Sequence, residues 1–561
     1  MSLNGSQAFL HMLAESGVKH LFGNPGTTEL PLNDALVDHP RIQYILGLQE
    51  VPVMAIADGY AQASRHVGVV NLHISCGLGH AMGILYNAHR SGTPLVVTAG
   101  QQHRKLKFAE PLLWSDLVQV ARPYTKWAVE VERAEDIPMA VRRAVSRALT
   151  PPTGPVFLSI PVDVQQEIAE FDLTSQPAVD YRVRPPVEAL VQASEVLAQA
   201  KNPAILAGSR IVEADGVTEL VAVAELLGAP VLADPATTHG RLSFPCDHPL
   251  SAPGLPPYSP EIRERLDEFD VLFVAGMDLF QLYVYFEPEH PIPDHLRIVH
   301  LDQNAREIGK NYPTEVGVFG DPKAGLAELA EILGNELSEE QRAANRQRSE
   351  ARTVLHQKLR EELIAQAASE CEERPVTPTT LMASLARALP PEAAVVEEAV
   401  TTTNTVLERL GAIKDPSGYF AHRGWALGWG LGCSIGVQLA WPDRPVLGVI
   451  GEGASMYGIQ GLWTAARYKI PVTWVICNNS QYNILKLGAK AMQLERATQD
   501  RFEGMDIAGP EIDFVSLAKS FGIQAERVTE PEELTHKVKE SLAGDTPRLF
   551  DVPIRRTTPT M

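Results

Sequence analysis

The stretch PVLGVIGEGASMYGIQGLWTAARYKIPVTWVICNNSQYN, residues 445–483, carries the most structural information in the chain. It opens with an apolar run, Pro445 to Ile450, and meets Gly451-Glu452-Gly453. A helical pattern follows, then a second apolar run, Pro471 to Cys477, ending at Asn478-Asn479. Strand, turn, helix and strand in that order make one parallel crossover unit. The glycines sit where a strand hands over to a helix, where backbone N–H groups can approach phosphate oxygens. A carboxylate at Glu452 and an amide oxygen at Asn479 are hard ligands suited to Mg²⁺ held between protein and diphosphate. The segment therefore reads as a split clamp for a metal and a diphosphate.

The same alternation runs through the rest of the chain. Val18 to Phe22 leads into the turn Asn24-Pro25-Gly26, and further apolar runs stand at Gly68 to Ile74, Pro94 to Ala99 and Pro155 to Ile160. A second series follows at Pro203 to Ala207, Pro230 to Ala233, Val271 to Ala275 and Arg297 to Leu301. A third comprises Ala394 to Val396, Pro445 to Ile450, Pro471 to Cys477 and Arg548 to Val552. Strands alternating with helices predict α/β architecture with parallel sheets, and 561 residues exceed what one core supports. We expect domains at 1–180, 187–340 and 378–561. Residues 337–370, densely charged and free of Pro and Gly, predict a solvated helical linker within 341–377.

A net charge of −20 argues against a nucleic-acid partner, since phosphate backbones need a basic face. No apolar run reaches membrane-spanning length, and no signal-peptide pattern opens the chain, so we expect a cytoplasmic protein. The five cysteines, Cys76, Cys246, Cys371, Cys433 and Cys477, have neither disulfide-scaffold nor zinc spacing.

GEG, 24 residues and then NN resembles the motif of thiamine diphosphate enzymes, and the flanking text is similar to the benzoylformate decarboxylase branch of the 2-oxoacid decarboxylases. GNPGTTELP (23–31), LQE (48–50), ADGYAQASR (57–65), NLH (71–73), VTAGQQ (97–102) and IGVQLA (435–440) resemble that branch in its order. The resemblance implies three doubly wound parallel-sheet domains: pyrimidine, central and diphosphate. It implies thiamine diphosphate and Mg²⁺, or a similar divalent cation, as cofactors. It also implies a homodimer or homotetramer with active sites at the subunit interface.

Residue by residue, the resemblance implies that Glu50 hydrogen-bonds the pyrimidine N1′ and helps acidify thiazolium C2. Taken alone, a Glu opening a helix serves as an N-terminal charge. Leu427 matches the hydrophobic wedge that bends the cofactor. The backbone of Trp425, where the branch has Gly, would accept from the 4′-amino group. Asn24, Pro25, Gly26, Gly451, Tyr457 and Tyr482 fall at matching cofactor positions. Glu452, in place of the family's Asp, joins Asn479 and the Gln481 carbonyl as metal ligands. Thr401 and Thr402, with backbone N–H groups of Gly453, Ala454 and Ser455, would meet the phosphates. His73 matches the active-site His, and a pKa near neutrality suits it for proton transfer. Thr27 stands where a Ser contacts the substrate carboxylate.

Other positions depart from the branch. Tyr283 replaces a second catalytic His, while His80 and His422 are alternative sources of a compensating imidazole. His80 replaces a branch Asn beside the substrate. Ile484 stands where the aryl-accepting branch has Ala, with Leu485 beside it. Gly488 replaces a bulky aromatic and opens space in another direction. The implied activity is non-oxidative decarboxylation of a 2-oxo acid to an aldehyde, with carboligation to a second aldehyde. The alternative is a carboligase or lyase of the acetolactate synthase or benzaldehyde lyase type.

Overall fold

The computed structural model describes residues 3–177, 179–233, 240–282 and 284–556. Three all-parallel sheets follow one another along the chain. The first runs Gln43–Leu46, His20–Gly23, Gly68–Leu72, Leu95–Gln101, Val156–Pro161, Ala128–Glu130 from edge to edge. Its inner strands are buried at every residue from Gly68 to Leu72 and from Leu95 to Gln101, which is why they read as unbroken apolar runs.

The third sheet runs Tyr419–Ala421, Ala394–Glu398, Val446–Gly451, Val472–Asn478, Arg548–Pro553, Gln524–Arg527. Numbered within each sheet in chain order, the first and third share the order 2-1-3-4-6-5, a likeness invisible in the sequence. The central sheet has the order 2-1-3-4-5, built from Val231–Ala233, Pro203–Ala207, Val271–Ala275, Arg297–Asp302 and Val316–Phe319. Each order reverses direction between its strands 1 and 3. The crevice beyond the C-terminal strand ends there is the favoured ligand position in open α/β sheets.

One hydrophobic core joins the first and third sheets. It is centred on the Glu50–Ser64 helix packed against the Trp429–Ala440 helix. A Cβ on Gly436 would lie 2.0 Å from the Ile56 carbonyl oxygen, and one on Gly59 would lie 2.3 Å from the Cys433 oxygen. Only glycine permits backbones to approach so closely. The central sheet is tied to this body through polar contacts: the buried Arg210 bridges Asp302 at 2.8 Å and Asp278 at 2.6 Å, and Arg423 also reaches Asp278. The Glu339–Ser369 helix, opened by a capping box between Ser338 and Gln341, links the second and third sheets.

One expectation changes in detail. The strand expected to end at Val396 continues to Glu398 and carries two carboxylates into the core. The helix Gly5–Glu15 is preceded by a short strand, Leu3–Asn4, paired with Ile168–Ala169. No helix among the described residues is long and apolar enough to cross a membrane.

Candidate active site

The expected site residues gather at the direction reversals of the first and third sheets. In the first, Asn24, Pro25, Gly26 and Thr27 follow strand His20–Gly23, and His73 follows strand Gly68–Leu72. In the third, Thr401 and Thr402 follow strand Ala394–Glu398. Gly451 ends the next strand, and Glu452 opens the short helix Glu452–Ser455.

Glu50 is the first residue of its helix and is 7% exposed. Its Oε2 lies 3.0 Å from His80 Nδ1, and Asn24 Nδ2 donates to its Oε1 at 3.5 Å. His80, expected in the substrate pocket, is thus engaged with the carboxylate assigned to the pyrimidine ring. Its side chain remains 60% exposed.

His73 is held by a residue that sequence reasoning passed over. Its Nδ1 lies 2.8 Å from Oε2 of Glu29, a side chain with no solvent exposure. Glu29 also accepts from Gly26 N at 3.1 Å, Gly100 N at 2.8 Å and the Thr28 hydroxyl at 2.8 Å. A carboxylate surrounded by donors acts as acceptor, so the shared proton belongs to Nδ1 and His73 Nε2 is left for chemistry. A Cβ on Gly26 would fall 2.0 Å from His73 Nδ1, so only glycine admits the imidazole. Ile74, next along the chain, holds φ at 40°, an outlier for a β-branched residue and a mark of local strain. Thr27 is exposed at the start of the 3₁₀ turn Thr27–Glu29.

On the other face, the Glu452 carboxylate and the Asn479 side-chain oxygen both accept from Gln481 N–H, at 3.1 and 3.0 Å. Desolvation by burial pushes the Glu452 carboxyl up to about 7. Among the described residues it has no cationic partner within ion-pair distance. A divalent cation would supply the missing positive charge, so the donor set fits one: one carboxylate, one amide oxygen and one backbone carbonyl, with phosphate oxygens filling the rest. Among the described residues no group of three or more His, Cys, Asp or Glu could hold a metal by itself. The Gln481 side chain is anchored by Lys486 Nζ at 2.8 Å, which also reaches Asp506 at 2.6 Å.

Several residues fit a diphosphate. Thr403 donates its hydroxyl to Glu397 at 2.7 Å, whereas those of Thr401 and Thr402 make no hydrogen bond among the described residues. First-turn N–H groups at Gly453 and Ala454 lack intrahelical acceptors. The Ser455 hydroxyl is committed to the Glu452 carbonyl at 2.8 Å, so only its N–H remains for a ligand. Tyr457 is half-exposed, and the ring of Tyr482 occupies the space a Cβ on Gly453 would take, 2.8 Å away.

The loop carrying Trp425 and Leu427 is clamped twice. Asn87, fully buried on the Ile74–Ser91 helix, accepts from Ala426 N at 3.0 Å and donates to its carbonyl at 2.8 Å. Glu398 accepts from the backbone N–H groups of Gly428, Trp429 and Gly430 at 3.0, 3.1 and 2.9 Å. Trp425 adopts φ 61°, with its N–H donating to His422 Nδ1 at 3.1 Å. Leu427 is partly buried against the core shared by the two sheets. Ile484 is half-buried on the Asn483–Ala491 helix, Leu485 is 51% exposed, and a Cβ on Gly488 would meet nothing within 4 Å. Tyr283 lies outside the described residues.

No hydrogen bond or ion pair joins Glu50 or His73 to Glu452 or Asn479 within the chain.

Family models cover most of the chain. Residues 3–111 match the thiamine pyrophosphate enzyme N-terminal TPP binding domain, 190–329 its central domain and 399–552 its C-terminal TPP binding domain. The chain is 33% identical over 556 residues to benzoylformate decarboxylase of Pseudomonas aeruginosa, covering 98% of this chain and 99% of that protein. It is 27% identical to a probable acetolactate synthase large subunit of Methanocaldococcus jannaschii, over 98% of this chain and 92% of that one. Among solved structures, benzoylformate decarboxylase from Polynucleobacter necessarius superposes with TM-score 0.86 at 28% identity over the whole of both chains. A thiamine diphosphate-dependent 4-hydroxybenzoylformate decarboxylase from Rhodococcus jostii RHA1 gives 0.84 at 29%, covering 99% and 100%. The chain belongs to the thiamine pyrophosphate enzyme family, in the branch that contains the benzoylformate decarboxylases.

Proposed function

We propose that the protein is a thiamine diphosphate-dependent carboxy-lyase that converts a 2-oxo acid to an aldehyde and CO₂. The observation that carries this reading is the Glu29–His73 pair at one sheet reversal, set beside Glu50. It provides an oriented imidazole as well as a carboxylate for the cofactor ring. When bound, the cofactor supplies a nucleophilic carbon and an electron sink for loss of CO₂.

The chain's own residues do the rest. Glu50 would hold the pyrimidine N1′, and Leu427 would fill the space beneath the bend. The Trp425 carbonyl would take the amino group, and Thr401 and Thr402 would grip the phosphates. Glu452, Asn479 and Gln481 would carry Mg²⁺. Thr27 would orient the substrate carboxylate, and His73 Nε2 would serve as the proton donor.

We assign the units as 1–180, 187–340, 341–377 and 378–561, and a cytoplasmic homodimer or homotetramer as the working form. Two observations support shared sites: within the chain no hydrogen bond or ion pair joins Glu50 or His73 to Glu452 or Asn479, and Phe108, Leu112, Leu485 and Leu494 are exposed on loops and helices that a second copy could cover.

The test is a screen of pyruvate, branched-chain 2-oxo acids, phenylpyruvate, benzoylformate and glyoxylate, with CO₂ and the organic product both identified. Aldehyde and CO₂ in equal amounts support the reading. A hydroxyketone or acetolactate as main product replaces it with a carboligase.

A further inference from the structure

A cavity of about 290 Å³ opens where the central sheet, the Glu339–Ser369 helix and the Val406–Arg409 turn meet. None of the residues assigned to the reaction lines it. Its floor is apolar, formed by Leu242, Phe244, Leu250 and Leu363, all at most 6% exposed, while Leu355 and Leu359 stand half-exposed at the lip.

The charged residues around this floor are unevenly matched. Arg265 and Arg352 are both held by Glu268. Arg241 donates to the backbone carbonyls of Tyr419 at 2.9 Å and Ser417 at 2.6 Å, and its guanidinium lies 3.9 Å from the Phe420 ring centroid. Arg409 makes one long bond, 3.4 Å, to the Asn404 carbonyl. Arg360 has no hydrogen bond or ion pair among the described residues. Of the two carboxyls lining the cavity, Glu362 pairs with Lys358 at 3.8 Å. Burial pushes the carboxyl of Glu408, the other, up to about 7.

Arg360, half-buried, and Arg409, exposed at the rim, thus border an apolar floor with no carboxylate within ion-pair distance of either among the described residues, where an anion's charge would be met. We propose that this cavity binds an amphipathic organic monoanion, its apolar body on the leucine and phenylalanine floor and its carboxylate against Arg360 and Arg409. The space holds roughly ten water volumes, which suits a medium-chain fatty acid or a small aryl carboxylate and is too small for a dinucleotide. The wall runs directly toward the diphosphate grip. Thr405 lines the cavity, and Asn404 and Thr405, both in the left-handed region at φ 37° and 56°, connect it to Thr401 and Thr402.

Calorimetric titration of the full chain with octanoate, 1-octanol, inorganic phosphate and ADP tests the proposal. Octanoate should bind once per chain, more tightly than octanol, phosphate or ADP. Arg360→Gln, outside the catalytic machinery, should weaken octanoate about tenfold or more while turnover stays at the wild-type level. Leu359→Glu, at the half-exposed lip, should weaken it by repulsion with the fold intact. Absence of octanoate binding at millimolar concentration overturns the proposal. So does equal binding of octanol, preference for ADP or phosphate, or octanoate affinity unchanged in both variants.

Discussion

Replacing Glu29 with Gln isolates the orienting role of a buried carboxylate from everything else in the site. Glu29 accepts four hydrogen bonds, from Gly26 N, Gly100 N, the Thr28 hydroxyl and His73 Nδ1. The amide keeps the shape, but its NH₂ end must face at least one of those donors, leaving a buried N–H without an acceptor. The expected stability loss is about 1–3 kcal/mol. The larger effect is on catalysis: without a carboxylate at Nδ1 the imidazole loses its set tautomer and orientation. Positioned proton transfer is worth about 10²–10⁴-fold, so kcat should fall by at least about 10²-fold, or about 2.7 kcal/mol of barrier. Affinity for thiamine diphosphate should hold within a few-fold, because Glu29 makes no bond to Glu50, Leu427 or the residues assigned to the phosphates and the metal. The assay is aldehyde formation coupled to alcohol dehydrogenase, beside calorimetric cofactor binding and a kcat pH profile. Turnover within threefold of wild type, with the fold intact, would refute the reasoning.

Other consequences are quicker to state. Glu50→Gln should cut turnover by orders of magnitude without altering the circular dichroism spectrum, and near-normal activity would remove the assigned mechanism. Ile484→Ala should raise kcat/KM for aryl relative to aliphatic 2-oxo acids by about 10- to 200-fold, the range for small changes in an apolar pocket, measured by paired kinetics. Glu398 and Glu408 are pushed up to about 7, and Asp58 to about 6, each chiefly by burial. Between an unfolded value near 4.5 and these raised values the native state binds more protons than the unfolded chain. Stability therefore falls as pH rises from about 5 to 8. Thermal unfolding of cofactor-free protein should show a higher midpoint at pH 6 than at pH 8, and Glu408→Gln should flatten that slope.

The sequence discloses the interior of each sheet and conceals five of the six edge strands, Val231–Ala233 being the exception. Leu95–Gln101 and Val472–Asn478, buried on both faces, read as plain apolar runs. The strands that sequence reading missed in the three main sheets, Gln43–Leu46, Ala128–Glu130, Val316–Phe319, Tyr419–Ala421 and Gln524–Arg527, all lie at an edge. Most are half-buried and short: Val316–Phe319 alternates buried and exposed, and Gln524–Arg527 has no buried residue. Such segments take their conformation from a neighbour as much as from their own composition.

The site shows the same contrast. Residues in short spaced motifs, such as Glu452 and Asn479, were legible because one strand-helix-strand unit places both. Glu29, Asn87 and Glu398 were not. Glu29 lies within GNPGTTELP, yet its role depends on Gly100, 71 residues on, and Asn87 grips a loop 339 residues away. A Glu following two threonines and a glycine turn is a local hint. Only the sheet order makes it a partner of His73.

The central claim is that two copies of the chain jointly hold the cofactor, Glu50 from one and Glu452 from the other. Co-expression of Glu50→Gln chains with Glu452→Ala chains, followed by turnover measurement on the purified mixture, tests it most directly. Each variant alone should be inactive. If sites form between chains, random pairing gives half mixed dimers, each with one intact site, and about a quarter of wild-type activity returns. If the mixture is as inactive as its parents while mixed dimers are present, the site lies within one chain and the account is contradicted.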